Sequence, residues 1–175
     1  MSEISKIIND KDSILVFDVD GVLAKLEFGR YNHFMSDEEW ENANLNGINC
    51  YDESKVIKIM QEFLKTRNMD NVYVATVVSC GDDEGYNKID YLIKYYGIHK
   101  ENIYYVPSNK DKLVVMLKIK EKYSELSPRK IVWIDDTVEI LNDVMNNSEF
   151  TTAHVSSFLD LSLNRSRQRK KSMIY

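Results

Sequence analysis

Two pairs of acidic residues, each directly after a short apolar run, are the residues of this chain best suited to chemistry. Asp18 and Asp20 follow the run SILVF and precede Gly21, and Asp135 and Asp136 follow the run IVWI. Carboxylates that crowd together repel one another and require a cation. A hard ion that prefers oxygen ligands, such as Mg²⁺, fits such a cluster. The pattern therefore predicts a Mg²⁺ site, provided that the fold brings the two pairs together.

The apolar runs themselves predict the strands that would carry these acids. Most of them lack alternation of apolar and polar residues, which is typical of strands covered on both faces of a parallel sheet. The predicted strands are 13–17 (SILVF), 72–75 (VYVA), 103–106 (IYYV), 131–134 (IVWI) and, more weakly, 151–155 (TTAHV).

Amphipathic segments between these runs predict helices, so that strands and helices alternate along the chain. One helix is predicted from about Glu53 to Arg67 and a second is predicted to stop at Gly97. A third begins near Leu113, and a fourth is predicted to stop at Asn146 and Asn147. This alternation predicts an α/β sandwich with a mostly parallel sheet. Such a sheet places both acidic pairs along the edge formed by the carboxyl ends of its strands.

Residues 25–51 depart from the alternation and predict a small lid insert after the first strand. Ser36 and Glu39 have the spacing of a capping box that starts a short helix. The segment is rich in aromatic residues, and a surface excursion whose aromatic rings pack on the core remains the alternative. We therefore predict one domain over residues 1–164, with the insert at 25–51, and a basic tail at 165–175.

The segments ILVFDVDGV and IVWIDDTVE resemble the first and fourth motifs of phosphatases of the haloacid-dehalogenase superfamily. The resemblance implies a small-cap member with a three-layer α/β/α sandwich and a Rossmann-like, mostly parallel five-stranded sheet. It implies that Asp18 is the nucleophile, forming an aspartyl-phosphate, and that Asp20 is the general acid and base. It also implies a Mg²⁺ ion held by the Asp18 carboxylate, the Asp20 main-chain carbonyl and Asp136, with Asp135 acting behind them or through water.

The family's second and third motifs each leave two candidates in this sequence. The second motif supplies a hydroxyl that binds phosphate at the end of the second strand. Thr76 is preferred there because it follows a strand of ordinary length, and Ser79 is the alternative. The third motif supplies a lysine beside the nucleophile. Lys112, which immediately precedes the apolar stripe of a predicted helix, is preferred over Lys110.

The function predicted from these residues is a Mg²⁺-dependent phosphomonoester hydrolase acting on a phosphorylated small molecule. The segments TVVS and YNKIDYLIKYYGI are loosely similar to 5'(3')-deoxyribonucleotidases, so a nucleotide is one candidate substrate. One alternative is a nucleic-acid-end phosphatase that recruits its substrate through the basic tail. A further alternative is a non-catalytic interaction module that keeps the fold and the metal site.

Composition and charge limit these alternatives. The chain of 175 residues carries a net charge of -5, and five basic residues lie in the tail, so the remainder is more acidic still. An acidic body disfavours a large nucleic-acid footprint. No apolar run approaches the roughly 20 residues that span a bilayer, so no membrane partner is expected. Two cysteines without metal-ligand spacing favour a reduced, cytoplasmic protein.

Overall fold

A five-stranded sheet forms the centre of the protein, whose structure, a computed structural model, describes residues 2–25 and 35–159. Its strands lie in the order β3-β2-β1-β4-β5, and every pairing between them is parallel. All carboxyl ends therefore lie along one edge. The strands are β1 (Ile14–Phe17), β2 (Val72–Val77), β3 (Ile103–Val106), β4 (Ile131–Asp135) and β5 (Thr151–His154).

Helices cover both faces of the sheet and complete a three-layer α/β/α sandwich. Within the described residues they are α1 (Glu3–Asn9), α2 (Asp37–Leu45), α3 (Cys50–Glu53), α4 (Lys58–Leu64), α5 (Asp82–Tyr96), α6 (Lys112–Lys122) and α7 (Val138–Asn147). Short 3-10 turns precede several strands, at Met69–Asn71, Lys100–Asn102 and Pro128–Lys130, and another, Asn109–Asp111, leads into α6. The predicted fold class, a Rossmann-like α/β sandwich, is confirmed.

Alternate residues of the central strands supply two separate cores. Leu15 and Phe17 of β1 face a core that includes Met60 of α4 and Leu92 of α5. Ile14 and Val16 face the opposite core, which is shared with α6 and α7. All four β1 side chains are therefore buried. This burial explains why the strand is a continuous apolar run without alternation.

The five predicted strands are present, with ends that shift by one or two residues. β2 continues beyond Ala75 as far as Val77, because its last residues still pair with β3, Thr76 with Tyr105 and Val77 with Val106. β4 likewise includes Asp135, which pairs with His154 of β5. The first member of the second acidic pair is therefore the last residue of a strand rather than part of the following turn.

The helix predicted from about Glu53 to Arg67 is shorter than predicted: its apolar residues Met60, Phe63 and Leu64 are buried in α4, but residues 54–57 are not helical. Two shorter helices, α3 and α4, flank an extended segment at residues 54–57. The backbone N–H of Lys25 donates to the Lys55 carbonyl over 2.9 Å, and Val56 forms a bridge with Ala24. These long-range hydrogen bonds satisfy the backbone of the segment, so the helix is interrupted although its apolar spacing is helical.

The described part of the predicted insert begins with α2. Its N-terminus has the predicted capping box, in which the Ser36 hydroxyl accepts from the Glu39 N–H and the Glu39 carboxylate accepts from the Ser36 N–H. Trp40 of α2 packs edge-on against Tyr51 of α3, with ring centroids 5.7 Å apart. Residues 26–34 of the insert and the predicted basic tail at 165–175 lie outside the described residues. Along the described ranges, no helix has the length and apolar character needed to cross a membrane.

Candidate active site

The tight loop after β1 fixes the first acidic pair. The Asp18 N–H donates to the Ile134 carbonyl of β4 over 2.9 Å, which extends the pairing between the two central strands past the end of β1. The chain then turns back, with the Leu23 and Ala24 N–H groups both donating to the Val19 carbonyl over 2.8 Å. Asp18 is thereby held at the centre of the carboxyl edge, and it is 9% exposed.

The second acidic pair lies at the end of the neighbouring strand, and its two members have different surroundings. Asp135 is fully buried, and its Oδ1 accepts from the Thr137 N–H over 2.9 Å. Asp136 is exposed, and its carboxylate lies over Gly21 in the loop after β1. The Asp136 main-chain carbonyl lies 3.0 Å from Nε2 of His154. The structure therefore brings the two acidic pairs together.

A buried lysine lies between the two pairs. Lys112 Nζ is 3.2 Å from Asp18 Oδ1 and 3.3 Å from Asp135 Oδ2, and the lysine is 1% exposed. It lies at the first residue of α6, where the 3-10 turn before the helix directs it into the site. The competing candidate, Lys110, is exposed. Of the two lysines, Lys112 is therefore the one that contacts Asp18.

Burial dominates the electrostatics of Asp18. Burial removes solvent from Asp18 and favours its neutral form, and the negative charges of Asp135 and Asp20 act in the same direction. The Lys112 ammonium favours the ionised form but does not outweigh them, so the pKa of Asp18 is raised to about 7. Burial and the neighbouring Asp135 also raise the pKa of Asp136. One lysine therefore does not neutralise this cluster of acids, and an additional cation would stabilise the ionised carboxylates.

Three of these acids could share one metal ion. Asp18, Asp135 and Asp136 each offer a carboxylate oxygen, and these oxygens lie within 4.8 Å of one another. An all-oxygen set of ligands suits Mg²⁺ rather than a metal that prefers sulfur or imidazole. Asp135 already interacts with Lys112 and Thr137, whereas Asp136 has more of its carboxylate available to an ion. The residues present therefore fit the metal predicted from the sequence.

The two candidates for the phosphate-binding hydroxyl have different positions. Thr76 is buried in β2, and its Oγ1 accepts a hydrogen bond from Lys88 Nζ over 3.2 Å. The same Lys88 Nζ lies 2.9 Å from Asp20 Oδ2, so a single ammonium contacts both Thr76 and Asp20. Ser79 is exposed beyond the end of β2, and its hydroxyl lies 3.6 Å from Cys80 Sγ. Of the two, Thr76 is therefore linked to Asp20, through the Lys88 ammonium group.

Sequence reasoning does not identify three residues that hold Asp20, two of them by direct contact and one, Glu84, only through Lys88. They are Lys88 and Glu84 of α5 and Tyr51 of α3, whose hydroxyl donates to Asp20 Oδ1 over 2.7 Å. The spacing of Glu84 and Lys88, four residues apart on a helix, was an available signal of an ion pair. That spacing occurs on many solvent-exposed helices, however, and nothing local marks this pair as buried. No local pattern connects Tyr51 to Asp20.

Taken together, the fold and the site define a parallel α/β protein with a cluster of carboxylates and a buried lysine at the carboxyl edge of its sheet. No family model matches the sequence, and no curated protein matches it. Among solved structures, the chain is similar to a HAD (haloacid-dehalogenase) family enzyme from Bacteroides thetaiotaomicron, solved as a magnesium complex. That likeness has a TM-score of 0.49 at 13% identity and covers 83% of this chain and 93% of the other.

Proposed function

We propose that this protein is a Mg²⁺-dependent phosphomonoesterase of the haloacid-dehalogenase type with Asp18 as its nucleophile. The observation that carries the proposal is the position of the Asp18 carboxylate, which lies against Lys112 and shares a possible metal site with Asp135 and Asp136. Two anions, a carboxylate and a phosphate ester, approach each other only where positive charge offsets their repulsion. Lys112 and a cation at the three acids would supply that charge.

In the proposed first step, an Asp18 carboxylate oxygen attacks phosphorus. The bond from phosphorus to the ester oxygen breaks, and its electron pair stays on that oxygen, which takes a proton from the Asp20 carboxyl group. In the second step Asp20 removes a proton from water, the water oxygen attacks phosphorus, and the aspartyl–phosphorus bond breaks. The products are an alcohol and inorganic phosphate, and both carboxyl groups regain their starting protonation.

The metal would be held by residues from both strand ends. We assign the Asp18 carboxylate, the Asp20 main-chain carbonyl and the Asp136 carboxylate as its ligands, with Asp135 supporting the site through Lys112 or a water molecule. When bound, Mg²⁺ would neutralise charge on the phosphate and on the nucleophile. Thr76 and Lys112 would bind the phosphoryl oxygens, and Ser79 remains the alternative hydroxyl.

The substrate we propose is a phosphorylated small molecule, and nucleoside monophosphates are the first compounds to test. The decisive experiment measures Mg²⁺-dependent release of p-nitrophenol from p-nitrophenyl phosphate by the purified chain. Asp18→Asn should abolish this release while the variant remains folded, because the amide cannot attack phosphorus. A folded Asp18→Asn variant with unchanged turnover would refute the proposed nucleophile. A folded wild-type chain that binds Mg²⁺ but turns over no phosphomonoester would instead support a non-catalytic interaction module.

A further inference from the structure

Lys88 is a buried cation that the proposed reaction does not yet use. It is 2% exposed, and its Nζ lies 2.9 Å from Asp20 Oδ2 and 3.1 Å from Glu84 Oε1. The same Nζ donates to Thr76 Oγ1 over 3.2 Å and to the Val77 carbonyl. An ammonium group has three N–H donors, one fewer than these four acceptors, so its capacity is fully used and two acceptors share one donor. The position of Nζ is therefore fixed from several sides.

Glu84 anchors Lys88 to the loop that follows β2. Its Oε1 accepts from Lys88, while its Oε2 accepts from the N–H groups of Ser79 and Cys80 over 2.9 and 2.8 Å. Glu84 is itself 2% exposed. Burial alone lowers the pKa of Lys88, but Asp20 and Glu84 outweigh it and raise the pKa, so the side chain carries its charge at neutral pH. The pair is therefore a rigid link between α5, the end of β2 and the loop after β1.

The hydrogen-bond directions leave both partners of Lys88 able to act on a phosphate ester. Because Lys88 donates to Thr76 Oγ1, the hydroxyl hydrogen of Thr76 remains free to donate to a phosphoryl oxygen. Asp20 accepts one hydrogen bond on each oxygen, from Tyr51 on Oδ1 and from Lys88 on Oδ2. Each carboxylate oxygen has a second lone pair, which stays available for the proton that moves to or from the substrate.

We propose that Lys88 is a positioning residue: it fixes the Asp20 carboxyl group and the Thr76 hydroxyl relative to each other, so that both can contact the phosphate ester at once. This inference deepens the proposed function and rests on it. Lys88 contacts no reacting atom; it acts through the two side chains that do. Small errors in the placement of a catalytic group are costly, so loss of this link should impair proton transfer to the leaving group in particular.

The test compares leaving groups in the variant Lys88→Met. Expulsion of p-nitrophenolate needs little help from a proton, whereas an alkyl alcohol leaves only if Asp20 protonates it. The value of kcat/KM reports the steps up to release of the alcohol. We expect kcat/KM for benzyl phosphate to fall by about 100-fold or more, in the range of general acid catalysis. The loss for p-nitrophenyl phosphate should be at least about 10-fold smaller, since Thr76 alone is affected there.

A second variant covers the case in which Lys88→Met fails to fold, because Lys88→Met leaves the Glu84 charge buried without its partner. Glu84→Gln/Lys88→Met removes both charges and keeps an amide oxygen that can accept from the Ser79 and Cys80 N–H groups. The matched control is Lys94→Met, at the exposed lysine of the same helix, whose ammonium group lies over the Tyr95 ring. It should leave both kcat/KM values unchanged.

The outcomes separate this inference from the proposed function. A wild-type chain without phosphatase activity would refute the proposed function and remove the basis of the inference with it. If wild type is active, wild-type kcat/KM values in a folded Lys88 variant would overturn the inference alone. Equal losses for both esters would also overturn it, because they would indicate a structural role. A selective loss for benzyl phosphate, with an unchanged Mg²⁺ activation midpoint, would support it.

Discussion

Gly21 and Asp136 approach each other so closely that no side chain fits between them. A Cβ atom added at Gly21 would lie 2.0 Å from Asp136 Oδ2. Gly21 also has a φ of 74°, in the left-handed region that glycine adopts without steric cost. The absence of a side chain at Gly21 therefore leaves room for the Asp136 carboxylate. It allows the acids at the ends of β1 and β4 to lie in one site.

Replacement of Gly21 should consequently disrupt the metal site more than the fold. In Gly21→Ala the added methyl group must displace the Asp136 carboxylate, so we expect the Mg²⁺ concentration that gives half-maximal activity to rise by about 10-fold or more. The left-handed φ adds a destabilisation of about 1–2 kcal/mol. Mg²⁺ titrations of activity and thermal unfolding measure the two effects separately.

Gly47→Ala is the matched control for this prediction. Gly47 has a φ of 71° but no atom within 4 Å of an added Cβ, so it reports backbone strain alone. We expect it to lower Tm while leaving the Mg²⁺ midpoint unchanged. If the two variants have the same Mg²⁺ midpoint, the contact between Gly21 and Asp136 does not matter for the metal.

The choice between the two candidate lysines can be tested in one pair of variants. Lys112→Met removes the ammonium that contacts Asp18 and Asp135, so kcat should fall by about 10²- to 10³-fold, the effect of losing one preorganised donor. Removal of one partner of a buried ion pair should also destabilise the fold by about 3–5 kcal/mol. Lys110→Met alters an exposed side chain and should change stability by less than about 0.5 kcal/mol. An active Lys112→Met variant beside an inactive Lys110→Met variant would reverse the assignment.

The two acids at the end of β4 should respond differently to neutralisation. Asp136→Asn should raise the Mg²⁺ midpoint strongly and change Tm little, because Asp136 is exposed and is the proposed ligand. Asp135→Asn should act mainly on stability, because the fully buried Asp135 carboxylate accepts from Thr137 and pairs with Lys112. Mg²⁺ activation curves and thermal unfolding of both variants provide the comparison. A weaker effect of Asp136→Asn than of Asp135→Asn on the Mg²⁺ midpoint would identify Asp135 as the ligand.

The raised pKa of Asp18 predicts a pH dependence of metal binding. The pKa of about 7 in the folded protein exceeds the ordinary value of 3.8. The contribution of Asp18 to the stability of the metal-free fold is therefore highest at a pH below the ordinary pKa, where Asp18 is protonated in both the folded and the unfolded chain. This contribution is lost as the pH rises through about 7 and the buried Asp18 ionises. Mg²⁺ competes with that proton, so its affinity should increase over the same interval.

The measurement is the increase in Tm on adding a fixed concentration of Mg²⁺. The increase should be larger at about pH 8 than at about pH 6, because less Asp18 is protonated at the higher pH. In Asp18→Asn, which has no proton to lose at this position, the difference between the two pH values should shrink. Equal Mg²⁺-induced increases at both pH values in the wild-type chain would contradict the prediction.

Local patterns were sufficient to predict most of the fold. Continuous apolar runs mark strands buried on both faces, and Gly97, with a φ of 68°, ends α5 where the sequence indicates. The prediction failed at residues 54–57, where backbone hydrogen bonds to residues 23–25 replace the helix. Helical spacing is a local property, and it does not report a distant strand-like partner that competes for the same backbone groups.

The sequence by itself indicated which acids stand at strand ends, because Asp18, Asp20, Asp135 and Asp136 follow short, continuous apolar runs that are typical of buried strands. Tertiary structure decided which other side chains meet those acids, although the sequence already favoured Lys112 over Lys110. Lys112 rather than Lys110 reaches Asp18, and the distant Tyr51 and Lys88 hold Asp20. The physical reason is that strand formation depends on neighbours along the chain, whereas a hydrogen bond depends on distances of about 3 Å between elements. Only the packing of helices on the sheet sets those distances.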